Sequence, residues 1–115
     1  EGQMEGGFCM ARGFSVNEEY LYDEHGVVTN GSYTDYRIPT VLDMPYREDF
    51  KCFLTPDPLP DGPYGAKGIA ESVTVPVGPA IAAAIYKAVG IRPKVLPMSA
   101  ERILQLIREK EKQNG

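Results

Sequence analysis

The stretch from Thr55 to Pro79 restricts the fold more than any other part of the chain. Pro56, Pro58, Pro60 and Pro63 follow one another closely, with Asp57, Asp61 and Gly62 between them. Each proline fixes φ and removes a backbone donor, so this run is neither helix nor central strand. Gly65 and Gly68 then permit backbone conformations that a Cβ would forbid. After them come Pro76 and Pro79 and an apolar helical pattern. The segment Gly65-Ala66-Lys67-Gly68-Ile69-Ala70-Glu71-Ser72 therefore presents one carboxylate, Glu71, on irregular backbone between a stiff lead-in and a packed helix. Loops carried on rigid scaffolds are where chemistry tends to sit. A plainer reading stands beside this one. Lys67 and Glu71 are four apart and suit a solvated ion pair on one helical turn, worth about 0.2–0.5 kcal/mol, and a glycine-rich turn before a helix needs no ligand.

The rest of the chain reads as short elements. Residues 3 to about 22 have a helical pattern, with Met4, Phe8, Ala11 and Ser15 on one face. Gly6, Gly7 and Gly13 each weaken it by nearly ~1 kcal/mol against alanine and point to close approach by another backbone. Ser15-Val16-Asn17-Glu18 matches a capping box, placing a break near Ser15. Tyr20-Leu21-Tyr22 reads as strand and Asp23-Glu24-His25-Gly26 as a tight turn into Val27-Val28, with His25 a solvated turn residue. Tyr33 to Pro45 is extended and irregular, its tyrosines packed. Arg47 to Thr55 has the clearest strand alternation, Phe50, Cys52 and Leu54 against Asp49, Lys51 and Phe53. Pro79 suits the first position of a helix whose face is Ile81, Ala84, Ile85 and Ala88 and whose stop is Gly90. A last helix starts at Ser99 as N-cap, carries Ile103, Leu104 and Ile107 as its stripe, and ends in a solvated charge run from Arg108 to Gln113. The expected fold class is α+β, with helices packed on a small sheet and the glycine- and proline-rich loop at one edge, in a single domain over residues 1–115.

Composition narrows the functional classes. With a net charge of −4 and no basic stripe before the tail, attraction to nucleic acid or anionic lipid is not indicated. No apolar run is read as nearing the ~20 residues of a membrane helix, and nothing at the start reads as a signal peptide. A cytoplasmic setting is expected, with Cys9 and Cys52 as free thiols filling core space. Two cysteines and one histidine cannot make a four-cysteine iron–sulfur cluster or an ordinary zinc site within this chain.

Several blocks, in order, resemble one family. The segment from Gly65 to Ser72 is similar to the GxKGxGES loop in the molybdenum-binding subunit of the xanthine dehydrogenase and aldehyde oxidase family of molybdenum hydroxylases. Gln3-Met4-Glu5-Gly6-Gly7 resembles that subunit's Q-hydrophobic-EGG helix start. Thr34-Asp35-Tyr36-Arg37-Ile38-Pro39-Thr40 with Asp43-Met44-Pro45 resembles its TDYKIPT…DMP segment. Pro79-Ala80-Ile81-Ala82-Ala83-Ala84-Ile85 resembles PAIANAI, and Leu96-Pro97-Met98-Ser99-Ala100-Glu101-Arg102-Ile103 resembles LPLTPERV. The chain opens on Glu1, directly before a motif, as expected of a C-terminal portion of a larger catalytic domain.

The resemblance implies hydroxylation of an aldehyde or N-heterocycle with oxygen from water, by a molybdenum–pterin cofactor that in bacterial members commonly carries a cytosine dinucleotide. It implies Glu71 as the general base, with Gly68, Ile69 and Ala70 bringing backbone near the cofactor. Such a base must be able to accept a proton and be shielded from water. Two positions depart from the pattern: Ala70 stands where glycine precedes the glutamate, and Val73 where glycine is usual. If residue 70 needs positive φ, alanine costs about 1–2 kcal/mol. The expected partners are the remainder of the molybdenum-binding subunit and iron–sulfur and flavin subunits or domains. No metal ligand set is read within the chain, so the isolated polypeptide is expected to be inactive and cofactor-free. The alternative is a separately encoded or non-catalytic domain that acts by binding a molybdenum-cofactor subunit.

Overall fold

The computed structural model describes residues 1–114, which form three helices: α1 (Gly2–Val16), α2 (Val77–Val89) and α3 (Ala100–Asn114). Between α1 and α2 the chain is irregular, punctuated by single 3₁₀ turns at Val41–Asp43, Pro63–Gly65 and Glu71–Val73. The expected α+β arrangement is not formed. Among the described residues there is no sheet, and the antiparallel bridge between Tyr22 and Val28 is isolated.

Two local readings explain that correction. The turn at Asp23–Gly26 does form, because the Asp23 carboxylate accepts the N–H groups of His25 and Val27, both at 2.9 Å. The Thr29 N–H then donates to the Leu21 carbonyl at 2.8 Å, but no third strand joins this hairpin. The alternation from Arg47 to Thr55 gives no strand either. The Tyr46 carbonyl accepts the N–H groups of Asp49 and Phe50, turning the backbone where a ladder would begin. Phe50 and Cys52 are half-buried as the pattern suggests, whereas Leu54 is exposed along with Phe53. Alternation describes which side chains share a face; a strand also needs a neighbour for its N–H and C=O groups.

Helix α1 ends at Val16, earlier than residue 22, and Asn17 leaves helical geometry with φ −120°. The break falls close to Ser15, but Ser15 is a buried residue inside the helix rather than a cap. The reciprocal cap lies elsewhere: Thr40 donates to the Asp43 carboxylate through its N–H at 2.8 Å and its hydroxyl at 2.9 Å.

The packing seam of α1 consists of Gly7, Ala11 and Ser15, all buried and spaced four apart, hence on one face. A Cβ added to Gly7 would lie 3.1 Å from the Val73 Cβ, and one added to Gly78 would lie 3.2 Å from the Ser15 Oγ. Small residues therefore set the approach of α1 to the 71–73 turn at one end and to α2 at the other. Phe8 adds an edge-on contact with Phe50, ring centres 5.2 Å apart.

Helix α2 begins at Val77, so Pro79 sits in the first turn, where its missing N–H breaks no helical bond. Gly90 ends it at φ +68°, donating to the Tyr86 carbonyl at 2.8 Å. Ile81, Ala82 and Ile85 are its half-buried residues; Ala84 and Ala88 are exposed. Helix α3 starts after Ser99, whose carbonyl accepts the Ile103 N–H at 2.9 Å. Its half-buried stripe is Ile103, Leu106 and Ile107, with Leu104 on the exposed side. The charge run is not purely solvated, because Lys110 donates to the Val89 carbonyl at 2.9 Å, at the negative end of α2. The Met98 N–H donates to the Ser15 carbonyl, and Arg102 pairs with Glu19 while donating to the Pro97 carbonyl, so the approach to α3 is fastened to the end of α1. Both cysteines are free.

One expectation about length needs amendment. Residues Glu71–Val89 are long and apolar enough by composition to cross a membrane. Only the 13 residues of α2 are α-helix, which at 1.5 Å per residue span about 20 Å, short of the ~30 Å hydrocarbon core.

The segment around residues 34–45 is tied to α1 by polar contacts. Arg12 bridges Asp43 at 3.2 Å and donates to Asn17 at 3.2 Å. The Tyr36 hydroxyl donates to the Glu18 carboxylate at 2.9 Å, its ring 5.0 Å from that of Tyr20. The Thr40 N–H, then the Thr40 hydroxyl, and less strongly Arg12, hold the Asp43 carboxyl below its usual value against the opposing effect of partial burial. The Tyr36 phenol is pushed up to about 12, first by its bond to Glu18, then by burial and by that carboxylate's charge.

The resulting shape is open. The Cα radius of gyration is 18.0 Å, against about 13 Å for a compact chain of this length. The exposed area is 9357 Å², about 3,000 Å² above the roughly 6,200 Å² typical of a compact 12.7 kDa protein. The apolar side chains buried among the described residues are Ala11, Val77, Ile91, Pro97 and Met98, while Val41 and Leu42 are 85% and 92% exposed.

The seam predicts opposite outcomes for two substitutions, read by thermal unfolding of the protein carrying this chain. Ala11→Leu overpacks the fully buried face and is expected to destabilise by about 1–3 kcal/mol. Ser15→Ala removes a buried hydroxyl with no partner among the described residues, so stability is expected to hold or rise. The tether predicts a pH signature at each extreme. Because the Asp43 pKa is depressed, its contribution is present above the unfolded value and is lost as pH falls through the folded one; Asp43→Asn should abolish that acid-side loss. Because the Tyr36 pKa is raised from 10.0, its contribution is present below 10.0 and disappears as pH rises through about 12. Phenolate absorbance should show one late-titrating tyrosine that shifts to lower pH in Glu18→Gln.

Candidate functional site

The glutamate loop is built on a left-handed corner. Tyr64 and Gly65 have φ of 52° and 74°. A Cβ at Gly65 would also lie 2.6 Å from the Pro58 Cβ, so glycine is required there by conformation and by space. The Gly65 carbonyl accepts the Leu59 N–H at 3.0 Å and the Gly65 N–H donates to the Gly62 carbonyl at 3.0 Å, closing the proline-rich lead-in onto itself. The stiff approach expected from the prolines is thus present.

The ion pair considered between Lys67 and Glu71 does not form. Lys67 reaches back to Asp57 at 2.8 Å instead. Gly68 is exposed, and a Cβ built on it meets nothing within 4 Å. Ile69 is half-buried, and its carbonyl accepts the Ser72 hydroxyl at 3.2 Å. Ala70 has φ −61° and ψ −71°, ordinary right-handed geometry. The strain that positive φ would impose on alanine therefore does not arise.

Glu71 opens the 3₁₀ turn Glu71–Val73. Its carbonyl accepts both the N–H of Thr74 at 2.9 Å and the Thr74 hydroxyl at 2.8 Å, which locks the turn. Its side chain is exposed, and among the described residues none bonds to the carboxylate. Shielding of a base from water is thus not supplied by these residues.

Val73 faces α1 rather than any opening: its Cβ and Cγ1 lie 3.1 and 3.2 Å from the position of a Cβ on Gly7. The structure thereby brings the Gln3–Gly7 helix start beside the glutamate loop, a pairing that sequence spacing did not reveal. The Thr74 lock was also missed, although a threonine three residues after Glu71 is the usual signal for such a bond. No group of three or more His, Cys, Asp or Glu side chains that could hold a metal occurs among the described residues.

With this geometry in view, comparison with known proteins is informative. The family described as a molybdopterin cofactor-binding domain matches residues 1–45. The gamma subunit of the 6-hydroxypseudooxynicotine dehydrogenase complex of Paenarthrobacter nicotinovorans is 38% identical over 89% of this chain and 13% of its own length. The xanthine dehydrogenase molybdenum-binding subunit of Escherichia coli O157:H7 is 35% identical over 91% of this chain and 14% of its own. The crystal structure of quinoline 2-oxidoreductase from Pseudomonas putida 86 superposes with a TM-score of 0.83 at 33% identity, over 94% of this chain and 14% of that one. The chain thus spans about one seventh of the length of the relatives it matches. Sequence and three-dimensional likeness agree across that span, and the chain belongs to the xanthine dehydrogenase and aldehyde oxidase family of molybdenum hydroxylases.

Proposed function

We propose that residues 1–115 are one portion of the catalytic domain of a molybdenum-binding subunit, and that Glu71 is its general base in hydroxylating an aldehyde or N-heterocycle. The observation that carries this reading is the isolation of the Glu71 carboxylate. The lysine best placed to neutralise it is held by Asp57, and the turn beneath it is locked by Thr74. A carboxylate on fixed backbone with no internal cation is free to accept a proton from a bound reactant.

The proposed cofactor is a molybdenum–pterin. The loop fits such a group: Gly68 opens onto free space, and among the described residues the N–H groups of Gly68, Ile69 and Ala70 donate to no protein acceptor. Exposed backbone donors on glycine-bearing loops suit anionic and polar ligands. When bound, the cofactor supplies the two-electron oxidation of the substrate carbon. This chain contributes the backbone cradle and the proton acceptor.

The surplus of exposed surface supports completion by other protein. About 3,000 Å² on this chain alone exceeds the roughly 1,000–2,500 Å² that each partner contributes to an obligate interface. The remainder of the molybdenum-binding subunit covers it and shields Glu71, while iron–sulfur and flavin subunits take the electrons, in the cytoplasm as the free thiols favour. A second reading, a separately made or non-catalytic domain that docks onto a cofactor-bearing subunit, is favoured by the same surplus.

Two experiments test these statements. In the assembled enzyme Glu71→Gln should lower kcat by about 10²–10⁴-fold, and full activity would refute the base assignment. The isolated chain, offered the cofactor and analysed for metal, should retain no stoichiometric molybdenum; retention would refute its dependence on further protein.

A further inference from the structure

Gly7 carries no side chain and stands far from Glu71 in sequence, yet it packs against the turn on which Glu71 sits. The N-terminal half of α1 meets that turn through Gly7, which is buried. A Cβ on Gly7 would stand 3.1 Å from the Val73 Cβ, 3.2 Å from its Cγ1 and 3.6 Å from the Ala70 carbonyl oxygen. Val73 is the last residue of the single 3₁₀ turn that begins with Glu71. That turn is closed by two bonds from Thr74 to the Glu71 carbonyl, at 2.9 and 2.8 Å. With so few atoms between them, Val73 cannot retreat from α1 without carrying Glu71 along.

We infer that Gly7 is a positioning residue for Glu71: by leaving room for Val73, it sets the height of the 71–73 turn over α1 and hence the placement of the carboxylate. The inference rests on Glu71 being the base. Valine at position 73, where glycine is usual in the loop, fits the same account, since its bulk occupies the space that Gly7 vacates.

Helix propensity gives the inference its sharpness. Gly7 lies inside α1, where alanine is the better helix former by nearly ~1 kcal/mol. If α1 were only scaffold, Gly7→Ala would be neutral or stabilising. If the contact governs the turn, the added methyl displaces Val73 by a few tenths of an ångström, and reacting geometry is sensitive on that scale.

The test uses the complete enzyme that contains this chain, with Gly7→Ala, Val73→Gly, the double variant and Glu71→Gln. Steady-state kinetics are paired with hydrogen exchange of the Thr74 amide, which reports closure of the turn independently of turnover. Gly7→Ala is expected to lower kcat roughly tenfold with KM nearly unchanged and to speed Thr74 exchange. Adding Val73→Gly, which removes both the Cβ and the Cγ1 that the new methyl would meet, should restore kcat to within about threefold and return exchange toward its original rate. An unchanged kcat in Gly7→Ala, or a loss that Val73→Gly does not repair, overturns the inference. If Gly7→Ala does not assemble, recovery of assembly in the double variant supports the contact and continued failure overturns it. Full activity in Glu71→Gln would instead defeat the base assignment, and the exchange data alone would then decide whether Gly7 sets the turn.

Discussion

Close approach along one face of α1 is the constraint on which the rest of the molecule depends. Gly7, Ala11 and Ser15 form a ridge with almost no side-chain volume, and what packs on it is backbone-near: the 71–73 turn at one end, Gly78 of α2 at the other. Small residues give up apolar area in exchange for short distances, and short distances fix geometry where long side chains would leave play. The chain's modest buried core follows from this choice. Its order is carried as much by polar fastenings as by apolar packing: Arg12 to Asp43, Tyr36 to Glu18, Arg102 to Glu19 and Lys110 to Val89.

This arrangement also explains the open shape. Three helices and a long irregular stretch leave far more surface than a compact chain of the same mass would. Proline-rich and loop segments with exposed apolar residues such as Val41, Leu42 and Phe53 are costly to leave in water and gain from a covering surface. Relatives about seven times longer have the protein to provide one.

The sequence was most legible where a residue's own backbone preference decides the outcome. Gly90 stops α2 in left-handed geometry, Ser99 opens α3, the Asp23 turn closes on its own carboxylate, and the prolines keep residues 56–62 out of helix and strand. Motif order carried the family across nearly the whole chain. What could not be read were contacts between distant segments. The sheet expected from Phe50, Cys52 and Leu54 failed because alternation says nothing about whether a partner strand exists. The redirection of Lys67 to Asp57, the Thr74 lock and the meeting of Gly7 with Val73 all depend on how the loop folds back. The glycines of α1 did not mark backbone contact as expected: nothing lies within 4 Å of a Cβ on Gly6, and the nearest neighbours of Gly7 and Gly13 are side chains, Val73 for one, Glu18 and Pro39 for the other.

The Gly7–Val73 contact has a bearing on how such chains diverge. The two positions share a single fixed volume, so bulk gained at one must be surrendered at the other. Among descendants of this sequence they should drift as a pair, a side chain arising at position 7 only where position 73 has shrunk. Covariation between a helix start and a distant loop would then be the evolutionary trace of a single van der Waals distance.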